Sequence, residues 1–267
     1  TSANDTLNAE LFGGEGEMKR ITVRGDVKKI DGDLFRYKAK VSEIVLPDTI
    51  TEIGNGAFKN CPNLVKISVP NVTKIGASAF DGCVSLGEVV ASGNVVSIGD
   101  YAFRNCAKLG ELDSGDKLVS VGNGAFENCE ALYRFEIPAS VTTIGDGAFT
   151  NCTGIIEVVN LSSLSSVKGS DDLGGLCKYA WDVLTSADEP KKISNADGFI
   201  IYDRDIPDEG DLLIKYVGTA KEVTIPDGIW AIYKAAFYAN ENITKVIVPE
   251  SVDQIGAEAF RGCVHLK

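Results

Sequence analysis

The chain of 267 residues has one histidine, one methionine and two tryptophans. The only imidazole, His265, stands at the C-terminal edge, a placement that leaves no sensible Ser-His-Asp or Cys-His catalytic arrangement, and a single histidine excludes a metal site based on several. Basic residues are in deficit, 26 Lys and Arg against 38 Asp and Glu, for a net charge of −12. That balance argues against binding nucleic acid or anionic lipid through bulk electrostatics. No apolar run approaches the roughly 20 residues that span a bilayer as a helix. There is no Cys-x-x-Cys pair, and the seven cysteines are odd in number. A disulfide framework would show paired, irregular spacings. No basic and apolar leader begins at Thr1, so an export signal is expected to have been removed or to lie outside this chain.

What the sequence does hold is a repeat. Ile53-Gly54-Asn55-Gly56-Ala57-Phe58-Lys59-Asn60-Cys61 returns at Ile75–Cys83, Ile98–Cys106, Val121–Cys129, Ile144–Cys152 and Ile255–Cys263. Ile232–Asn240 is a variant with Tyr233 for Gly and Asn240 for Cys, and Ile30–Lys38 is a weaker copy. The steps from Ile30 to Ile144 are 23, 22, 23, 23 and 23 residues. Eight of the eleven phenylalanines fall at one repeat position and six of the seven cysteines at another. A unit this small cannot bury its own apolar face. Successive units must therefore stack, which lays like side chains over one another in columns. The aligned cysteines read as reduced, core-filling thiols.

Eleven residues after each leading Ile comes a segment such as Leu64-Val65-Lys66-Ile67-Ser68-Val69-Pro70, with the alternation of a half-buried strand. Five of the eight prolines close such segments. Strands at the same point of each coil are expected to pair in parallel, about 4.8 Å apart. The Gly after the Ile supplies either a positive φ or room for close backbone approach. The following Ala-Phe is expected on a short helical turn.

These motifs resemble the BspA-type leucine-rich repeats. The pattern stands here as Leu64-x-x-Ile67-x-Val69-Pro70, then Val72-x-x-Ile75-Gly76-x-x-Ala79-Phe80-x-x-Cys83. The resemblance covers residues 18–152 and 221–267. It implies an α/β solenoid: a curved, right-handed coil with a parallel sheet on one face and short helical turns on the other. It further implies a bacterial surface or secreted protein used in adhesion, with no family catalytic residues to carry over.

The clean repeat lapses for 88 residues between Ile144 and Ile232. Leu173, Leu176, Cys177, Ala180, Trp181 and Leu184 have helical spacing and predict an amphipathic helix, broken at Pro190. Gly198–Tyr202 and Leu212–Tyr216, flanking an acidic link at 203–211, predict a hairpin. The link is superficially calcium-like, but Pro207 falls at the fifth position of the EF-hand pattern. The organisation read from sequence is a cap or leader at 1–17, repeats at 18–152, degenerate repeats with helix and hairpin at 153–220, and repeats at 221–267. Residues 1–17 show no repeat register. The chain stops just inside a next strand, as a longer solenoid cut short would.

For a site, the outward strand positions are the candidates. Over nine strands they run from Arg20 and Thr22 to Lys245 and Ile247, with seven acidic and four basic residues. Glu88, Glu111, Asp113, Glu136 and Glu157, with Arg134 among them, come from consecutive coils. They suggest a patch for a basic partner or a divalent cation; the competing reading is a solvated sheet. No catalytic residue, cofactor or dedicated metal site is expected. The functional expectation is a non-enzymatic, exported, monomeric module that binds a protein or glycan on host or neighbouring cells. The alternatives are a stalk displaying another domain and a carboxylate-dependent hydrolase. Against the last, a sheet surface offers no water-excluding pocket.

Overall fold

A typical coil carries two short strands, one at its leading Ile and one at the Lys-Ile-Ser type triplet, because both stretches put β-branched residues on a half-buried surface. The computed structural model describes residues 6–7, 19–91, 93–186, 193–204 and 210–267. They fall into two compact units, 1–188 and 189–267.

In the first unit, the leading strands form one parallel ladder of seven: Thr6–Leu7, Lys29–Ile30, Glu52–Ile53, Lys74–Ile75, Ser97–Ile98, Ser120–Val121 and Thr143–Ile144. Every Ile or Val of the column faces its counterpart one coil away, as in Ile75 with Ile98 and Ile98 with Val121. Thr6–Leu7 pairs with Lys29–Ile30. The segment expected to lack repeat register is thus in register there; the rest of 1–17, and Met18, lie outside the described residues.

The triplets form a second parallel ladder, Arg20–Thr22, Glu43–Val45, Lys66–Ser68 and Glu88–Val90. At the next coil it thins to a single bridge between Val89 and Leu112. Arg134–Ile137, Glu157–Asn160 and Asp182–Leu184 make a further parallel sheet of three. The thinning follows from sequence: Gly110-Glu111-Leu112-Asp113-Ser114-Gly115 offers one apolar residue and no β-branched one.

The Ala-Phe segments are not helical, which corrects the α/β expectation. Their amide groups turn outward to the next coil. Phe58 N–H donates to Ala79 O (2.8 Å), Phe80 to Ala102 (2.7 Å), Phe103 to Ala125 (2.7 Å) and Phe126 to Ala148 (2.7 Å). The cause lies in the backbone. Two residues per turn have positive φ, for instance Gly56 with Asn60 and Gly124 with Asn128, and a right-handed helix cannot contain them. The first unit is therefore a parallel β-solenoid with hydrogen-bonded turns.

The interior is built from columns. Phe35, Phe58, Phe80, Phe103, Phe126 and Phe149 stack with ring centroids 5.0–5.3 Å apart and planes within 14°, and all are fully buried. All seven cysteines are free thiols. Each of Cys83, Cys106, Cys129 and Cys152 donates its Sγ–H to the Phe carbonyl of the preceding coil, at 3.1–3.2 Å. Burial pushes the Cys106 thiol well above its ordinary range. At the turn edge Asn151 donates to Asn128 (2.9 Å) and Asn128 to Asn105 (2.8 Å). Asp81, also buried, is held by Arg104 through two bonds and by Lys59 at 2.9 Å. Burial raises its carboxyl, but these cations more than offset that and leave it below the usual range.

The helix expected over 173–184 shrinks to a four-residue turn at Asp172–Gly175 and a 3-10 turn at Leu176–Lys178. Leu173, Gly174 and Gly175 have φ of 55°, 65° and 92°, all left-handed, and the Asp182–Leu184 segment is a strand. The stretch is a degenerate coil: Gly174 O accepts from Phe149 N–H (2.9 Å), the bond that Ala148 accepts from Phe126. Leu173, Leu176, Cys177 and Ala180 are buried, whereas Trp181 is exposed. Pro190 lies outside the described residues.

In the second unit, Phe199–Tyr202 and Asp211–Tyr216 pair antiparallel, the hairpin read from sequence, and Ile193–Ala196 adds to its outer side. Residues 205–209 of its link lie outside the described residues. Asp211–Tyr216 then pairs in parallel with Ile229–Ile232, and that strand with Gln254–Ile255. The hairpin's second strand is itself the leading strand of a coil: Leu213 faces Ile232, and Tyr216 stacks on Phe237 at 5.5 Å, with Phe237 on Phe260, in an aromatic column of this unit's own. Glu222–Thr224 and Lys245–Ile247 form the equivalent of the second ladder.

Candidate interaction faces

Two surfaces of the first unit stand out, one on each ladder. Along the second ladder the core takes Ile21, Ile44, Ile67 and Val89, and the residues on either side of each face outward. The first outward column is charged in each coil from Arg20 through Glu43, Lys66, Glu88 and Glu111 to Arg134. Parallel register sets opposite charges side by side. Arg20 lies 3.3 Å from Glu43, and Lys66 2.6 Å from Glu88.

Of the sequence candidates, Glu88 is thus paired. Arg134 lies 3.2 Å from both Glu136 and Glu157. Glu157 is 0% exposed, and Val159 is buried too, so these two are not outward surface as expected. The alternation of the strand sorts residues onto two sides, but cannot reveal that both sides are covered; Glu157–Asn160 is buried throughout. Glu111 and Asp113 remain exposed and side by side on the thinned part of the ladder. Glu111 accepts a 2.6 Å hydrogen bond from the Tyr133 hydroxyl. Burial, with the Glu111 carboxylate beside it, pushes that hydroxyl far above its ordinary range, so it stays a donor. Asp113 accepts from Gly115 N–H at 3.0 Å. The structure brings together no group of three or more His, Cys, Asp or Glu placed to hold a metal ion among the described residues. His265 is exposed.

The second surface was not anticipated. A groove of about 530 Å³ runs along the leading-strand ladder from Lys74 to Gly145. Its floor is the column of glycines after each Ile. They have no positive φ; a Cβ at Gly99 would lie 2.6 Å from Ala77 N, and one at Gly122 2.5 Å from Asp100 N. Close approach of coils, not turn conformation, is what requires glycine there. One wall carries Ser97, Ser120 and Thr143, the other Asn55, Asp100 and Asn123. The signal was available in the sequence as the polar residue preceding each Ile. A strand of two residues gives that polar position no alternation by which the sequence alone could mark it.

A family model described as BspA type leucine-rich repeat region matches residues 5–96, 73–170 and 215–267, in six copies. No curated protein matches the chain. Among solved structures, a leucine-rich cell surface protein from Faecalibacterium prausnitzii A2-165 is 25% identical, over 94% of this chain and 69% of that one, with a TM-score of 0.44. The T. pallidum leucine-rich repeat protein is 22% identical, over 90% and 82% of the two chains, with a TM-score of 0.45. A leucine-rich repeat protein from Eubacterium ventriosum ATCC 27560 is 22% identical over 85% of this chain and 59% of that one, at a TM-score of 0.40.

Proposed function

The chain belongs to the BspA-type leucine-rich repeat family, and from that premise we propose that it is an exported, non-enzymatic module that binds a protein partner on host or neighbouring cells. The observation that carries this reading is the outward side of the second ladder. From Arg20 to Asp113 its charged side chains stay out of the core and make no coil-to-coil backbone bonds; they pair in register at Arg20–Glu43 and Lys66–Glu88, whereas Glu111 and Asp113 have no ion-pair partner among the described residues. Two carboxylates without a neighbouring cation on an exposed ladder attract a basic patch and steer its approach. Large aromatic anchors are sparse on this face, so single contacts are weak and repetition supplies the strength.

The test is surface plasmon resonance of the chain against extracellular-matrix proteins with basic surfaces, across a salt series. Binding should weaken as salt rises. The double variant Glu111→Lys, Asp113→Lys should lower affinity about tenfold, a loss on the scale of two rim charge contacts. Unchanged affinity in that variant would remove the acidic focus from the binding surface.

A further inference from the structure

The groove on the leading-strand ladder is a separate surface from the charged face, and its chemistry suits another kind of ligand. We infer that it is a binding cleft for a neutral, linear carbohydrate chain lying along the stack of coils.

The inference rests on which polar groups remain unused. The floor offers few: Gly99 and Gly122 N–H donate to Ile75 and Ile98 carbonyls at 2.9 Å, and Gly76, Gly99 and Gly145 carbonyls accept from Ala79, Ala102 and Ala148 N–H. The side-chain carbonyl oxygens of Asn55 and Asn123, and Oδ1 of Asp100, are taken by backbone N–H groups of the next coil at 2.8–2.9 Å. What is left is the hydroxyls of Ser97, Ser120 and Thr143, which bond to no described residue, and on the other wall the NH₂ groups of Asn55 and Asn123 with the second carboxylate oxygen of Asp100, a further acceptor for hydroxyl groups. The hydroxyls recur once per coil, about 4.8 Å apart. Each can donate and accept, the complement of another row of hydroxyls. Bare glycine backbone between the walls gives a flat surface for the C–H face of a sugar.

An extended peptide fits less well. It would bind by adding main-chain hydrogen bonds at a sheet edge and seating side chains in pockets. Here the central strands are paired on both sides, and Ile75, Ile98 and Val121 are sealed beneath the surface. An ionic polymer fits less well too. The two charged groups of the groove are Lys74, which lies 3.5 Å from Glu52, and Asp100, of opposite sign.

The experiment is affinity electrophoresis of the whole chain through native gels containing an unbranched β-glucan, a linear β-mannan or a linear α-glucan, with polygalacturonate as the anionic control. At least one neutral polymer should retard the chain and the anionic one should not. Replacing Ser97, Ser120 and Thr143 together by Ala removes three hydroxyls that make no internal bond. It should weaken retardation about tenfold or more while leaving the thermal melt in place. The Glu111→Lys, Asp113→Lys variant should be retarded like the parent, which separates failure here from failure of the protein-binding reading. Absence of retardation by all three neutral polymers overturns the inference, as does retardation that survives the triple variant. Stronger protection of the groove amides by an unstructured peptide than by any glycan would overturn it as well.

Discussion

Replacing Phe103 by Ala should destabilise the first unit by about 3–5 kcal/mol. Its ring is fully buried and stacks at 5.2 Å on both Phe80 and Phe126. Truncation removes both stacks and leaves a ring-sized void that neighbouring coils cannot fill, since their backbones are tied by Phe80 N–H to Ala102 O and Phe103 N–H to Ala125 O. In a solenoid, stability is carried by interfaces between neighbours, so one void weakens two of them. Urea denaturation followed by circular dichroism checks this, with Val84→Ala, at an exposed position, expected within about 0.5 kcal/mol of the parent. A loss below about 1 kcal/mol for Phe103→Ala would mean that the column is not shared between coils.

Gly122→Ala should be as damaging, at about 3 kcal/mol or more, although it adds only a methyl group. The new Cβ would lie 2.5 Å from Asp100 N and 2.6 Å from Gly99 C. Those are backbone atoms of the preceding coil and cannot swing aside as a side-chain tip would. Relief requires the coils to part, which breaks the Gly122 N–H bond to Ile98 O and the Asn123 N–H bond to Asp100 Oδ1. Gly87→Ala is the control, because its Cβ would meet nothing closer than 3.5 Å. Equal melting temperatures for the two variants would contradict the close approach.

Much of this architecture was legible in the sequence because a stacked repeat converts spacing directly into contact. Phe80, Phe103 and Phe126, at intervals of 23 residues, could only lie over one another once the coils were in register. Other features were hidden for physical reasons. A two-residue strand such as Ser97–Ile98 is too short to show alternation, so the leading-strand ladder and its groove were missed. Leu173 to Leu184 keeps helical spacing, yet Gly174 and Gly175 allow left-handed backbone, and the pull of the preceding coil's pairing sites decides the outcome. Tyr216 replaces Phe in the second unit's aromatic column with a different local motif, so only its stacking on Phe237 reveals its place. For the candidate site, Glu111 and Asp113 were correctly read as exposed. Glu157 was not, because burial on the outward side of a strand depends on distant segments that a local pattern does not encode.

The most direct test of the account is the pattern of nuclear Overhauser contacts among the phenylalanine rings, read on protein with selectively labelled Phe. The register of coils requires ring protons of Phe103 to show cross-peaks to those of Phe80 and Phe126, and Phe58 to those of Phe35 and Phe80. Rings that show contacts only within their own repeat would contradict it.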